Sequence, residues 1–115
     1  MARSTQQVFD HHREAFEPIN LENLMADYAD DAILLTLDGA FVGKKAIQGF
    51  FGSIFENHPN LKISFEKTAV EDDIFLLQWS GESDVATFPR GTAAFIIRDG
   101  KIQRQAEWFT VVPKA

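Results

Sequence analysis

The chain contains no cysteine, so disulfides and thiolate metal sites are excluded as sources of stability or chemistry. It also lacks any cluster of basic side chains. Its 11 Lys and Arg are scattered among 17 Asp and Glu, giving a net charge of −6. Nucleic acid and anionic membrane surfaces both require a basic footprint, so neither is expected as a partner. No apolar run reaches the length of a signal peptide or membrane span, and the stretch from Met1 to Gln7 leads into none; cytoplasmic residence is the default expectation. Neither a P-loop nor a dinucleotide fingerprint is present. Adjacent His11 and His12 diverge by about a hundred degrees on a helix and cannot share a metal as an i, i+4 pair would. No cofactor and no metal are therefore expected. With no internal repeat, low-complexity tract or linker, residues 1–115 read as a single domain, large enough to bury roughly two thirds of its unfolded surface.

What the chain does have is aromatic residues. Hydrophobic residues make up 45%, and 11 of them are Phe. So much aromatic surface in a short chain needs a cavity to line or a partner subunit to meet.

The hydrophobic period changes along the chain and divides it into elements. Ser4 or Thr5 can cap a first helix whose apolar face is Val8, Phe9, His12, Ala15 and Phe16, with Pro18 where that helix should stop. Asn20 offers an N-cap to a second helix over Leu21–Tyr28, with Glu22 in its first turn. This helix is expected to bury Leu21, Leu24, Met25 and Tyr28 and to expose Glu22, Asn23 and Asp27. Ala29-Asp30-Asp31 then reads as a helix-to-strand turn, where Asp side chains bind neighbouring backbone N–H groups. An apolar strand, Ala32–Leu37, turns at Asp38-Gly39 and passes Gly43 into a third helix with Ile47, Phe50, Phe51, Ile54 and Phe55 on one face. That helix ends at Asn57-His58-Pro59. Turn signals at Glu71-Asp72-Asp73, in a loop from Ala86 to Gly91, and at Asp99-Gly100 divide the rest into four strands, near 61–70, 74–84, 91–98 and 101–112.

Several strands are apolar on both faces, which an antiparallel sheet with one wet side would avoid. Ala94 and Ile96 share one face of their strand and Ala93, Phe95 and Ile97 the other. In the last strand Gln105, Glu107, Phe109 and Val111 share one parity and Ile102, Ala106, Trp108 and Val112 the opposite one. A curved sheet that holds helices and a cavity on its concave side and meets a second copy across its convex side satisfies both faces.

The run Tyr28-Ala29-Asp30-Asp31-Ala32, then Gly43, Ala46-Ile47, Phe50-Phe51 and finally Asp99-Gly100-Lys101-Ile102, resembles the NTF2-like superfamily in its SnoaL-like or ketosteroid-isomerase-like branch. The resemblance spans essentially the whole chain. It implies an α+β NTF2-like cone, with three N-terminal helices packed in a strongly curved, mostly antiparallel sheet. The superfamily hosts isomerases, polyketide cyclases, dehydratases, epoxide hydrolases and binding proteins on one fold, so fold does not settle function. Relative to the steroid isomerases, Thr36 stands at the base position, eight residues after the tyrosine of the Tyr-Ala-Asp-Asp motif. Ala93 falls near the position of the protonated acid, and His12 near that of the first-helix tyrosine. Three departures at three catalytic positions make steroid isomerisation an improbable activity, although the cavity should remain.

In the resemblance, the parity that carries Gln105 and Glu107 faces the cavity, and His12 lies on the apolar stripe of the first helix. The three could converge as a catalytic set. Glu107 would be a general base whose pKa rises among phenyl rings unless His12 pairs with it, and His12 and Gln105 would hold a substrate oxygen. Phe16, Tyr28, Thr36, Phe51, Phe55, Trp79, Phe88, Phe95 and Phe109 are candidate ligand-binding residues. Each has a bland reading as well: His12 as a hydrogen-bonded core residue, Glu107 as a solvated strand residue, and the rings as core. His11 is expected to be exposed and His58 to cap a helix end. Two functions stand. One is a cofactor-independent enzyme that moves protons on a small apolar carbonyl-containing or polyketide-like molecule, as an isomerase, cyclase or dehydratase. The other is a non-catalytic, homodimeric module that binds a small apolar ligand in the same cavity.

Overall fold

A computed structural model describes residues 3–115. The elements run α1 (Thr5–Glu14), α2 (Leu21–Met25), β1 (Tyr28–Thr36), β2 (Gly39–Val42), α3 (Lys44–Asn57), β3 (Lys62–Glu71), β4 (Ile74–Glu82), β5 (Ala86–Arg98), β6 (Lys101–Phe109) and β7 (Val112–Pro113). One sheet carries the strands in the order β2-β1-β6-β5-β4-β3, with β7 added to β5. It does not close on itself. All pairings are antiparallel except β1 with β6. The concave face meets the helices in a core built on Val8, Phe9, Leu24, Leu34, Ile47, Phe75 and Phe95, in which Phe9 stacks on Phe75 at 4.0 Å.

Local chemistry sets the helix ends. Ser4 and Gln7 form a reciprocal capping box on α1, with Oγ accepting from the Gln7 N–H at 3.1 Å and the Gln7 carbonyl accepting from the Ser4 N–H at 2.8 Å. Asn20 accepts from the Asn23 N–H at 3.0 Å on α2. Gly43, at φ +93°, supplies the left-handed step by which β2 enters α3. The helices are short, and only α1 and α2 precede the sheet; the hairpin of β1 and β2 comes before α3. Among the described residues no helix is long and apolar enough to cross a membrane.

Four expectations are corrected. The second helix stops at Met25, and Tyr28 already belongs to β1, because the Ile102 N–H donates to the Asp27 carbonyl at 2.7 Å and draws the chain into pairing with β6. Asp30 and Asp31 are consequently exposed strand residues at an irregularity in the β1–β6 register rather than turn residues. The segment from Ala86 to Gly91 is strand, not loop. The turn lies just before it, where Ser83 Oγ accepts from the Val85 and Ala86 N–H groups, and Pro89 is accommodated where the β4–β5 register slips between Trp79 and Gly81. Finally, Ile102 does not share a face with Ala106 and Trp108. Ile96 pairs with Arg104 but Ile97 with Ile102, so a bulge at Gln103 turns Ile102 inward, where it is buried.

Along β6 beyond that bulge, Gln105 lies opposite Phe95 and Glu107 opposite Ala93, both on the concave side. The convex side carries Leu35, Ile74, Leu76, Ala94, Ala106 and Trp108. Of these, Leu35, Ile74, Leu76 and Trp108 are exposed large apolar side chains.

Gly91 faces the indole of Trp79: a Cβ there would lie 2.1 Å from the ring. The backbone of β5 must therefore stay bare for the ring to lie flat. Gly91→Ala should displace Trp79 and lower unfolding stability by about 1–3 kcal/mol, the usual cost of overpacking. Urea denaturation followed by indole fluorescence measures both effects.

Candidate active site

Between the sheet and the helices lies a cavity of about 60 Å³. Seven of the candidate binding residues line it: Phe16, Phe51, Phe55, Trp79, Phe88, Phe95 and Phe109. Phe50, Ile54, Leu61, Ile63, Phe65 and Leu77 complete the apolar wall. Among the described residues, three polar side chains reach it, and they are His12, Gln105 and Glu107. Helix α1 supplies the first and β6 the other two. An i, i+2 pair on a strand points to one face, so the placement of Gln105 on the concave side brings Glu107 with it.

The carboxylate of Glu107 is held at both oxygens. Trp79 Nε1–H donates to Oε2 at 2.8 Å, and Gln105 Nε2–H donates to Oε1 at 2.9 Å. The Gln105 carbonyl in turn accepts the Tyr28 phenol at 2.5 Å, so a chain of hydrogen bonds runs from β1 through β6 to the Glu107 carboxylate. Burial raises the Glu107 pKa, and the Trp79 and Gln105 donors offset only part of that, leaving it pushed up to about 7. Burial, followed by the charges of Glu107 and Asp27, drives the Tyr28 phenol well above its ordinary value. Tyr28 thus remains a hydrogen-bond donor at neutral pH.

His12 pairs with a different acid. Its Nδ1 lies 3.3 Å from Asp27 Oδ2, while Phe16, Tyr28 and Phe95 meet the ring edge-on at 5.5–6.0 Å. Asp27, expected on the wet face of a helix, is fully buried. It also accepts from His11 Nδ1 at 2.8 and 2.9 Å and from Arg3 at 3.2 Å. Burial works to raise its pKa, but the hydrogen bonds from His12 and His11 and their charges outweigh burial and lower it. His11 is correspondingly half-buried by this contact rather than free in solvent. Periodicity extended three residues past the true helix end put Asp27 on the wrong side; only the strand pairing of Tyr28 with Ile102 reveals where it goes.

Two candidate binding residues lie elsewhere. The Thr36 hydroxyl donates to the Gly39 carbonyl at 3.1 Å in the β1–β2 hairpin, away from the cavity. Tyr28 stands behind Gln105, supporting it rather than lining the wall. His58 does follow the last residue of α3. Its ring packs edge-on against Phe88 at 4.8 Å, and its buried Nδ1 has no hydrogen-bond partner. Among the described residues no group of three His, Asp or Glu is arranged to hold a metal ion.

The cavity adjoins a wider groove of about 690 Å³, and Phe16, Phe55, Leu61 and Ile63 belong to both walls. Glu17, His58, Asn60, Lys62 and Ser64 add polar atoms to the groove.

A family model for the SnoaL-like domain matches residues 9–105. Among solved structures, the fold is similar to that of an NTF2-like protein of unknown function from Cytophaga hutchinsonii, with a TM-score of 0.77 and 13% identity over 96% of this chain and 93% of that one. It is also similar to a candidate polyketide cyclase from Sinorhizobium meliloti, with a TM-score of 0.76 and 18% identity over 89% of this chain and 94% of that one. TerC, co-crystallised with polyporic acid, is a third such structure, with a TM-score of 0.76 and 13% identity over 92% and 91% of the two chains. At these identities the likeness is one of fold. No curated protein matches the chain by sequence.

Raising the Glu107 pKa from 4.5 to about 7 has a cost with a defined sign. Between those values the folded protein binds a proton that the unfolded chain has released, so stability falls as pH rises through this window, by on the order of 3 kcal/mol in all. Glu107→Gln should remove that slope. It should leave stability near the wild-type value at pH 4.5 and exceed it at pH 8, as measured by urea denaturation across pH 4.5–8.

Proposed function

The chain belongs to the SnoaL-like domain family, and on that footing we propose that it is a cofactor-independent enzyme in which Glu107 transfers a proton on a small, mostly apolar carbonyl compound. The observation that carries this reading is the Glu107 carboxylate itself. It is walled by aromatic rings, oriented at both oxygens by neutral donors, and poised to change protonation near neutral pH.

Each neighbour has a part. Trp79 and Gln105 fix the carboxylate while each of its oxygens keeps a further lone pair free, and Tyr28 fixes Gln105. The Gln105 amide is therefore committed to holding the base, and the substrate oxygen falls to His12. Apolar walls keep water from competing for the proton. The 60 Å³ cavity is far smaller than the roughly 300–1,000 Å³ that encloses a drug-sized ligand. A substrate would place only its reacting end beside Glu107, and any larger, polyketide-like body would extend into the adjoining groove. Isomerase, cyclase and dehydratase chemistry all begin with this abstraction. Thr36, tied into its hairpin, offers no second base.

The convex face supports the second part of the reading, a homodimer. Leu35, Ile74, Leu76 and Trp108 are each at least 41% exposed and continue one another across neighbouring strands, which is more apolar surface than a wet sheet face carries.

In D2O, the protein should exchange the α-protons of 2-indanone or 2-tetralone. On its acid limb the rate should rise with pH through about 7, since the carboxylate acts in its unprotonated form. Glu107→Gln should lower it by about a hundredfold or more. Proton NMR measures the exchange. Undiminished exchange in the variant would sink the assignment, and ketone binding without exchange would favour the non-catalytic binding module of the same fold. Separately, Leu76→Lys combined with Trp108→Glu should convert a dimer to a monomer in sedimentation equilibrium. A wild-type chain that already sediments as a monomer would remove the dimer.

A further inference from the structure

Asp27 is the buried titratable group that base catalysis by Glu107 leaves unused. It sits outside the cavity wall yet touches a residue inside it: His12 lines the cavity with its ring while its Nδ1 faces Asp27 Oδ2 at 3.3 Å. Phe16, Tyr28 and Phe95 pack edge-on around that ring and hold its plane. Nε2 makes no hydrogen bond to any described residue and is the ring nitrogen left for a ligand.

We propose that Asp27 is a positioning residue that holds His12 as the Nδ1–H tautomer, so that Nε2 serves the cavity as a second proton-transfer station beside Glu107. The assignment follows from which atoms can donate. An ionised carboxylate only accepts, so the nitrogen facing it must carry the hydrogen, and the other nitrogen of a neutral ring then presents a lone pair. Asp27 stays ionised because the other donors on it, Arg3 and His11, make up for lost water. Their second effect is mechanical. With His11 across both oxygens and Arg3 on Oδ1, the carboxylate cannot rotate away from His12.

This inference rests on the reading of Glu107 as base and narrows its substrate. With Nε2 protonated from solvent before the substrate enters and Nδ1–H kept on Asp27, Glu107 takes the proton from carbon, the C–H electron pair becomes the C=C bond of an enol, and the carbonyl oxygen takes the Nε2 proton. In the second half, neutral His12, its Nδ1–H still on Asp27, recovers the enol proton at Nε2 while protonated Glu107 delivers its proton to carbon. Both residues end as they began. A ketone whose enol can be reprotonated at a second carbon would leave as an isomer. No oxidant, reductant or metal enters this balance.

Two-bond proton–nitrogen NMR correlations on uniformly nitrogen-15-labelled protein, at a pH where the His12 ring is neutral, test the assignment without any substrate. The wild-type ring should show the Nδ1–H pattern, whereas free imidazole rings favour Nε2–H. Asp27→Asn should shift the ring toward Nε2–H and lower kcat for 2-indanone exchange about tenfold or more, with KM within about threefold. Asp27→Glu should recover part of the rate. A wild-type ring in the Nε2–H form overturns the proposal whether or not any variant folds. So does an Asp27→Asn protein that loses stability but keeps both tautomer and kcat, because Asp27 would then be only a structural anchor. Loss of the Glu107 assignment is read separately, from Glu107→Gln, and leaves the tautomer result standing.

Discussion

Two inward-facing carboxylates, Glu107 and Asp27, are held by different donors, and the character of the donors around each decides what it can do. Burial pushes both toward protonation. Asp27 meets two imidazoles and a guanidinium, which favour its charged form, and its pKa ends below the ordinary value. Glu107 meets an indole N–H and an amide N–H, neutral dipoles that orient it without cancelling the cost of desolvation, and its pKa ends near 7. The rest of the site depends on that difference. A cationic partner on Glu107 would make it a weak base, and neutral donors alone on Asp27 would leave it without the charge that holds His12.

Keeping those donor sets apart is the work of the sheet. The bulge at Gln103 lets Ile102 point inward beside the core while Gln105 and Glu107 also point inward further along the same strand. Without the extra residue, strict alternation would put Ile102 on the opposite face from Gln105. The parallel pairing of β1 with β6 brings Tyr28 level with Ile102, and the Tyr28 phenol reaches Gln105. Asp27, one residue earlier, then falls next to α1, where His11 and His12 wait. One register therefore sets both carboxylate environments.

Much of this was legible in the chain. The cap residues Ser4 and Asn20, the turn glycines 43 and 100, the helix that ends at Asn57 and the hairpin turns near Asp72 and Asp99 are local features, read correctly because they depend on neighbours within four residues. The convergence of His12, Gln105 and Glu107 was also legible, since a strand parity and a helix stripe state which side chains point inward. Asp27, the strand character of Asp30 and Asp31, and the strand from Ala86 to Gly91 were not. Each depends on pairing between segments: the Ile102 N–H on the Asp27 carbonyl, the irregular β1–β6 register that spans Asp30 and Asp31, and the β4 and β7 edges on either side of β5. Those partners lie 75 residues away in the first case, and no periodicity encodes them.

By itself, the order of residues determined that this chain folds as an α+β domain with an aromatic-lined interior and a carboxylate on its inward parity. Alternation and helical period are properties of single segments and are visible one segment at a time. Only the tertiary structure decided that the imidazole of His12 would face Asp27 rather than Glu107, and that the interior would be narrow. Both depend on where separate segments come to rest against one another, and a side chain's charge state follows from the company that packing gives it.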